Sequence, residues 1–227
     1  LFRIFQVFHP LESALVRYEL LFMGVVSILI STLHIVVAQN FKKLIAYASI
    51  NHVGVIALGL GIGKDAGYGV VLYAISNAIV KAVLFLTGGN IEARFQTKDT
   101  SELKGLIRTM PFSGITFMVG IFALLGFAPF GSFIGEVMIM KSMIDTHHYV
   151  IFAAFCVLTS IAFVAIGRSL FPMIWGEPKV DVTGMRESFF MLVPNLFFMG
   201  ILVTLGIYIP VRFDEMLIWI GRSIGGQ

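Results

Sequence analysis

Charge is scarce in this chain. Asp, Glu, Lys and Arg make up 13% of its 227 residues, against 58% hydrophobic, whereas a soluble domain carries about 25% charged residues. That shortfall excludes an ordinary soluble domain and points to the membrane class, in line with a mean hydropathy of +0.93. Cysteine is scarcer still. Cys156 stands alone, so no internal disulfide can form and the redox compartment cannot be read from it. HExxH, CxxC and Gly-rich phosphate-loop motifs are all missing, so no metal site, no bound cofactor and no catalytic residue is expected. The GLGIG run at Gly59–Gly63 reads as a helix end and turn. With a net charge of +3 and no basic stripe interleaved with aromatics, nucleic acid is not an expected partner.

What the chain does have is long apolar runs. A bilayer core needs about 20 mostly apolar residues per helix, and six such spans fit: Tyr18–Ala38, Leu44–Ile62, Tyr68–Gly89, a fourth from Phe112 to Ile144, Val150–Phe171 and Ser188–Ile209. Lipid offers no partners to unpaired backbone groups, so these spans must be helical. The fourth is interrupted at Pro129-Phe130-Gly131 and resumes at Ser132. The fold class expected is all-α, a polytopic transmembrane bundle with a discontinuous helix, forming a single domain over residues 1–227. Leu1 to His9 reads as the closing turns of a helix that begins upstream. Residues 211–227 read as an interfacial helix, with Val211, Leu217, Ile218 and Trp219 opposite Arg212, Asp214 and Glu215, or as a tail. Lys42, Lys43, Arg94, Lys98, Lys104, Arg108, Arg168, Lys179 and Arg186 fall in loops on one side. Arg3, Arg17, Lys64, Lys141, Arg212 and Arg222 fall on the other. The positive-inside rule makes the first side cytoplasmic and turns the C-terminus outward.

A charged side chain at mid-bilayer costs about 2.5–3.5 kcal/mol on insertion scales. Two such residues lie well inside apolar runs. Lys81 follows Tyr73 and Asn77 at i, i+4, i+8, which puts the three on one helix face with Ser76 beside them. Such a stripe can hold water and let a lysine gain and lose its proton. The competing reading is a lysine that snorkels to an interface. Glu136 lies one turn into the half-helix that starts at Ser132. Pro129 removes a backbone donor and Gly131 tolerates unusual dihedrals. Broken membrane helices place free N–H and C=O groups at ion sites. The positive end of the half-helix favours the ionised carboxylate and burial opposes it, a balance that suits loading and unloading of protons. The competing reading is a glutamate near a loop with no role. His52, near Asn51 and Ser49, and His34, which shares a face with Ser27 and Ser31, read first as interhelical hydrogen-bonding residues.

Three segments then carry a resemblance. NFKKLIAYASINHVGVIALGLGIG, NAIVKAVLFLTGGNI and LLGFAPFGSFIGEVMIM, in this order, resemble the antiporter-like subunits of respiratory complex I, of hydrogenase-4 and formate hydrogenlyase, and of Mrp antiporters. The wording is closest to the hydrogenase-4 type. The resemblance implies about fourteen helices in two inverted repeats, of which this chain covers the end of the eighth through the fourteenth. It implies that Lys81 matches the family's central lysine and Glu136 the terminal residue of the proton path, and that the Glu–Lys pair of the first half lies upstream of Leu1. Many members carry His where this chain has Asn77, which holds water but carries no proton.

The function expected is proton translocation by a membrane subunit of a redox-driven respiratory or hydrogenase complex. The path would run through Lys81, Glu136, His52, Asn77, Tyr73 and Ser132, with the helix break at Pro129 and Gly131. The chain would be a non-redox part of an oxidoreductase of the NADH:quinone or hydrogenase type, in the cell (inner) membrane. Its partners would be lipid, other membrane subunits and protons, with sodium as the alternative. The alternatives are a subunit of an Mrp-type cation/proton antiporter and a structural subunit that conducts nothing. A lysine-linked retinal protein fits poorly, because the lysine helix is the third in the chain.

Overall fold

The computed structural model of the protein describes residues 14–63, 66–178 and 189–225, and among these it is helical with short connections. The expected closing turns at Leu1–His9, together with Arg3, Lys64, Lys179, Arg186 and Ser188, lie outside the described residues. The helices are α1 (Ala14–Val37), α2 (Phe41–Ile62), α3 (Gly67–Phe95), a single turn α4 (Leu106–Thr109), α5 (Pro111–Leu124), α6 (Gly131–Asp145), α7 (Tyr149–Trp175), α8 (Phe189–Ile207) and α9 (Val211–Gly225). Four of them, α1, α2, α3 and α7, are each long and apolar enough to cross a membrane. The two pieces of the fourth expected span, α5 and α6, have 14 and 15 residues, about 21–23 Å each at 1.5 Å per residue, too short to cross singly. For the sixth span, α8 has 19 residues, about 28–29 Å at 1.5 Å per residue, and meets α9 at a bend of 75°. Residues 211–225 form a helix and not a frayed tail. It packs on the start of α3, where Gly221 meets Gly67 and the Tyr68 hydroxyl donates to Asp214 Oδ1 at 2.6 Å.

Local chemistry sets the boundaries. Asn40 caps α2, its Oδ1 accepting from the N–H groups of Lys42 (3.0 Å) and Lys43 (3.2 Å), which satisfies donors that have no partner within the helix. Pro111 opens α5, where its missing N–H costs nothing. Between α1 and α2 the backbones meet at Gly24 and Gly54: a Cβ on either would come within 3.0 Å of the other's carbonyl oxygen. Small residues at crossings allow this approach in membranes, where apolar burial alone does not drive helices together.

The described parts of the three charged segments gather at one end, as the sequence predicts. Phe41 N–H donates to Lys98 O at 3.1 Å and Thr100 N–H to Gln39 O at 3.0 Å, while Lys42 and Lys98 both pair with Glu92. Gly105 abuts the Gly176 carbonyl and Pro178 at the end of α7. The buried side chains form two apolar clusters. One, toward the charged loops, includes Phe41, Leu44, Val83, Leu84, Phe117 and Ile166. The other, toward the opposite end, includes Leu21, Val55, Leu58, Leu72, Ile139 and Leu217. Apolar side chains also cover the outside, among them Phe22 on α1 (71% exposed) and Val150 and Val164 on α7 (84% and 65%). Outer faces of this extent fit lipid and not water.

Candidate functional site

The break between α5 and α6 organises the site. α5 ends at Leu124 and α6 begins at Gly131, so the interruption falls where Pro129 and Gly131 predict it, with a cis bond at Ala128–Pro129. Gly126 turns the chain with φ +70, a conformation that costs other L-residues about 1–2 kcal/mol. Its missing side chain also makes room, because a Cβ there would sit 2.8 Å from Glu136 Oε2. The Ser132 hydroxyl donates to the Ala123 carbonyl at 2.8 Å. It thereby joins the two half-helices at a carbonyl that also accepts from the Gly126 N–H at 3.3 Å. On the far side, Gly206 of α8 lies so close to the Pro129 carbonyl that a Cβ would collide with it.

Two neighbouring helices bring the other polar groups. Tyr73, Ser76 and Asn77 of α3 are all buried, at 1%, 0% and 1% exposure, so the polar stripe faces inward up to Asn77. Lys81, one turn further, is only half-buried. From α2 come Asn51 and His52, both buried. His52 Nδ1 and the Tyr73 hydroxyl are 2.6 Å apart, which makes His52 an interhelical link as expected. His34 is different: its Nδ1 lies 2.8 Å from Ile30 O of its own helix, and its ring packs on Tyr47. Hydrogen bonds between α1 and α2 are made instead by Asn51, whose Nδ2 donates to Thr32 Oγ1 at 3.2 Å, and by Ser27, which donates to Ile50 O at 3.3 Å.

A cavity of about 30 Å³ lies between these elements, lined by Asn51, His52, Tyr73, Glu136 and Thr159 and flanked by apolar walls that include Ile35, Leu124 and Ile166. Its walls draw on both apolar clusters, so it sits at their seam. Since a water needs about 10–15 Å³ of such space and two or more polar partners, there is room for about two. The Oγ1 of Thr159 is buried without a hydrogen-bond partner, as are Ser76 Oγ and Asn77 Oδ1 nearby on α3. Lys81 does not line the cavity, and no ion pair joins it to Glu136 among the described residues. Of the residues predicted from sequence, Tyr73, His52 and Glu136 therefore share one chamber. Lys81 and Asn77 stand beside it, and Ser132 holds the break together.

Two polar residues were missed by the sequence reading. Thr159 sits on α7 in an apolar span. Threonine in such a span ordinarily bonds the carbonyl four residues back, so nothing in the sequence marks its hydroxyl as unpartnered. Asn195 on α8 is fully buried, with both amide atoms unpartnered. An asparagine next to Pro194 inside an otherwise apolar run was a signal that could have found it.

Comparison with known proteins adds the lineage. A family model described as "NADH:quinone oxidoreductase/Mrp antiporter, TM" matches residues 1–162. Among curated relatives, the "Putative antiporter subunit mnhD2" of Staphylococcus aureus (strain MRSA252) is 30% identical over 178 residues, covering 78% of this chain and 36% of the relative. The subunit of the same name from Staphylococcus epidermidis (strain ATCC 12228 / FDA PCI 1200) is 31% identical over the same shares. The chain thus spans little more than a third of the length of these relatives. Three solved structures share its fold. A chain of the Mrp complex from Dietzia sp. DQ12-45-1b superposes with a TM-score of 0.79 at 19% identity, covering 92% of this chain and 46% of that one. A chain of respiratory complex I from Thermus thermophilus gives 0.81 at 21%, covering 94% and 46%. A chain of the membrane-bound sulfane sulfur reductase, an archaeal respiratory membrane complex, gives 0.82 at 24%, covering 92% and 42%. Motifs, helix order and family match agree: this chain belongs to the NADH:quinone oxidoreductase/Mrp antiporter transmembrane family.

Proposed function

We propose that residues 1–227 form the C-terminal part of a proton-translocating membrane subunit in a redox-driven respiratory or hydrogenase complex of the cell (inner) membrane. The observation that carries this reading is the cavity that brings Glu136, at the helix break, to the His52–Tyr73 pair. A proton leaving the Glu136 carboxyl crosses one or two waters to the Tyr73 hydroxyl, which already shares a hydrogen bond with His52 Nδ1. Lys81 supplies a positive charge two turns along α3 from Tyr73 without neutralising Glu136. The carboxylate stays free to reload because no ion pair holds it among the described residues. The remaining path lies in the rest of the subunit, and electron transfer lies in partner subunits. In this reading α9 rests at the outer membrane surface, its exposed Val211, Ile218 and Trp219 toward lipid.

Glu136→Gln keeps the shape and removes the titratable group. In the full-length subunit within its complex it should leave assembly intact and cut proton pumping by at least about tenfold, as loss of a positioned acid–base group does. Assembly with pumping at the wild-type rate would overturn the reading. A second reading, a subunit of a cation/proton antiporter, is favoured by the names of the curated relatives. Sodium-dependent proton movement without any electron donor would select it.

A further inference from the structure

On the outside of the bundle, away from the polar chamber, a cleft of about 910 Å³ opens between the end of α1 and the second half of α7. That is at the upper end of the range of about 300–1,000 Å³ for small-molecule sites. Its walls include Val36 and Val37 of α1 and Ile161 and Val164 of α7. These four are 53%, 73%, 44% and 65% exposed. They lie along the spans, where apolar exposure means contact with acyl chains. At the loop end the lining changes character: Lys104 and Arg168 stand there. Neither has an ion-pair partner among the described residues, and acids of the adjoining loop are engaged elsewhere. Glu102 accepts from the Thr97 hydroxyl at 2.5 Å, and Asp99 Oδ1 accepts from the Ser101 N–H at 2.7 Å. Two cations without an ion-pair partner among the described residues, set over an apolar groove at the end of the bundle that gathers most of the basic loops, complement a molecule with an anionic head and hydrocarbon tails.

We propose that this cleft holds one anionic phospholipid. Arg168 would meet its phosphate with paired N–H donors and Lys104 with a point charge. The acyl chains would lie along Val36, Val37, Ile161 and Val164. Basic pockets between membrane helices on the cytoplasmic side recognise headgroups in this way. The proposal does not depend on ion translocation, so the two readings can fail separately.

The test uses the full-length subunit in its complex, delipidated in neutral detergent and titrated with phosphatidylglycerol or phosphatidylcholine while bound lipid is followed by native mass spectrometry. The expected result is retention of phosphatidylglycerol in preference to phosphatidylcholine. Lys104→Gln with Arg168→Gln should weaken that retention by about tenfold or more, since each cation near the surface contributes about fivefold. Lys43→Gln with Arg108→Gln, an equal charge change at exposed positions of the same end outside the cleft, should leave it unchanged. Equal retention of the two lipids, or equal losses in the two double variants, would overturn the proposal. Should the first double variant fail to assemble, a photo-crosslinking residue at Val164 decides in native membranes. Adducts to phospholipid support the site, and adducts to another polypeptide show that a protein helix fills the cleft and refute it.

Discussion

Glu136 and Lys81 are the two charged residues that the sequence places well inside apolar runs, and their surroundings differ. Glu136, like Lys81 half-buried, faces a small chamber, with a backbone turn against its carboxylate and polar groups from three helices around it. Lys81 stands half-buried on α3, beside Ala78 and Phe85, which are exposed. The spacing along α3 predicts a buried lysine, and the described residues cover only one of its sides. One charge is thus held by geometry that this chain supplies alone. The other is held by a helix face that remains partly open, in a chain that spans 36% of its mnhD2 relatives.

Changes that disturb the chamber should therefore cost more than changes at the open face. The largest effect is expected from Gly126→Ala. It forces a Cβ into a left-handed turn, costing about 1–2 kcal/mol, and pushes on the Glu136 carboxylate. In the full complex it should lower the unfolding temperature and reduce pumping about tenfold, the equivalent of about 1.4 kcal/mol. Wild-type values for both would show that the break does not position the carboxylate. Next comes Tyr73→Phe, which leaves the buried His52 nitrogen without its 2.6 Å partner. An orphaned buried polar group costs about 1–3 kcal/mol, so pumping should fall about fivefold or more with a matching loss of thermal stability.

A paired test separates the two charges directly. Glu136→Asp keeps the charge but withdraws it by one methylene from a chamber with room for about two waters. Lys81→Arg keeps the charge and enlarges the side chain on a face with space. Pumping should fall about fivefold in the first and stay within about twofold in the second, a gap of roughly 1 kcal/mol. Equal losses would erase the distinction. The smallest effect is expected from Thr159→Val, which removes an unpartnered hydroxyl and keeps the shape. It should slow pumping by about twofold to threefold, within the range for one hydrogen bond, and leave stability unchanged. A drop in stability would mean that the hydroxyl has a protein partner.

The helix break was legible because proline and glycine act on their own backbone: Pro129 and Gly131 mark an interruption whatever packs around them. The inward stripe of Tyr73 and Asn77 was legible because helical periodicity fixes which residues share a face. What periodicity does not fix is which face of the next helix it meets. His52 and Tyr73 belong to different helices, and their contact depends on how α2 and α3 cross. The same gap explains Ser132, read as part of the proton path and found bonded to Ala123 across the break. It explains Thr159 and Asn195 as well, whose unpartnered atoms are a property of packing alone.

The contact between Gly206 and the Pro129 carbonyl carries a consequence for how substitutions in this family are judged. Searches for functional positions look for residues that bring chemistry: acids, bases, ligands. Gly206 brings none, lines no part of the chamber and lies on a different helix from the break. Yet the interruption fits against α8 only while that position has no side chain, because even one methyl group would occupy the space of the Pro129 oxygen. An alanine there, which most substitution scales rank as mild, should act on the chamber as severely as the loss of a charged residue inside it.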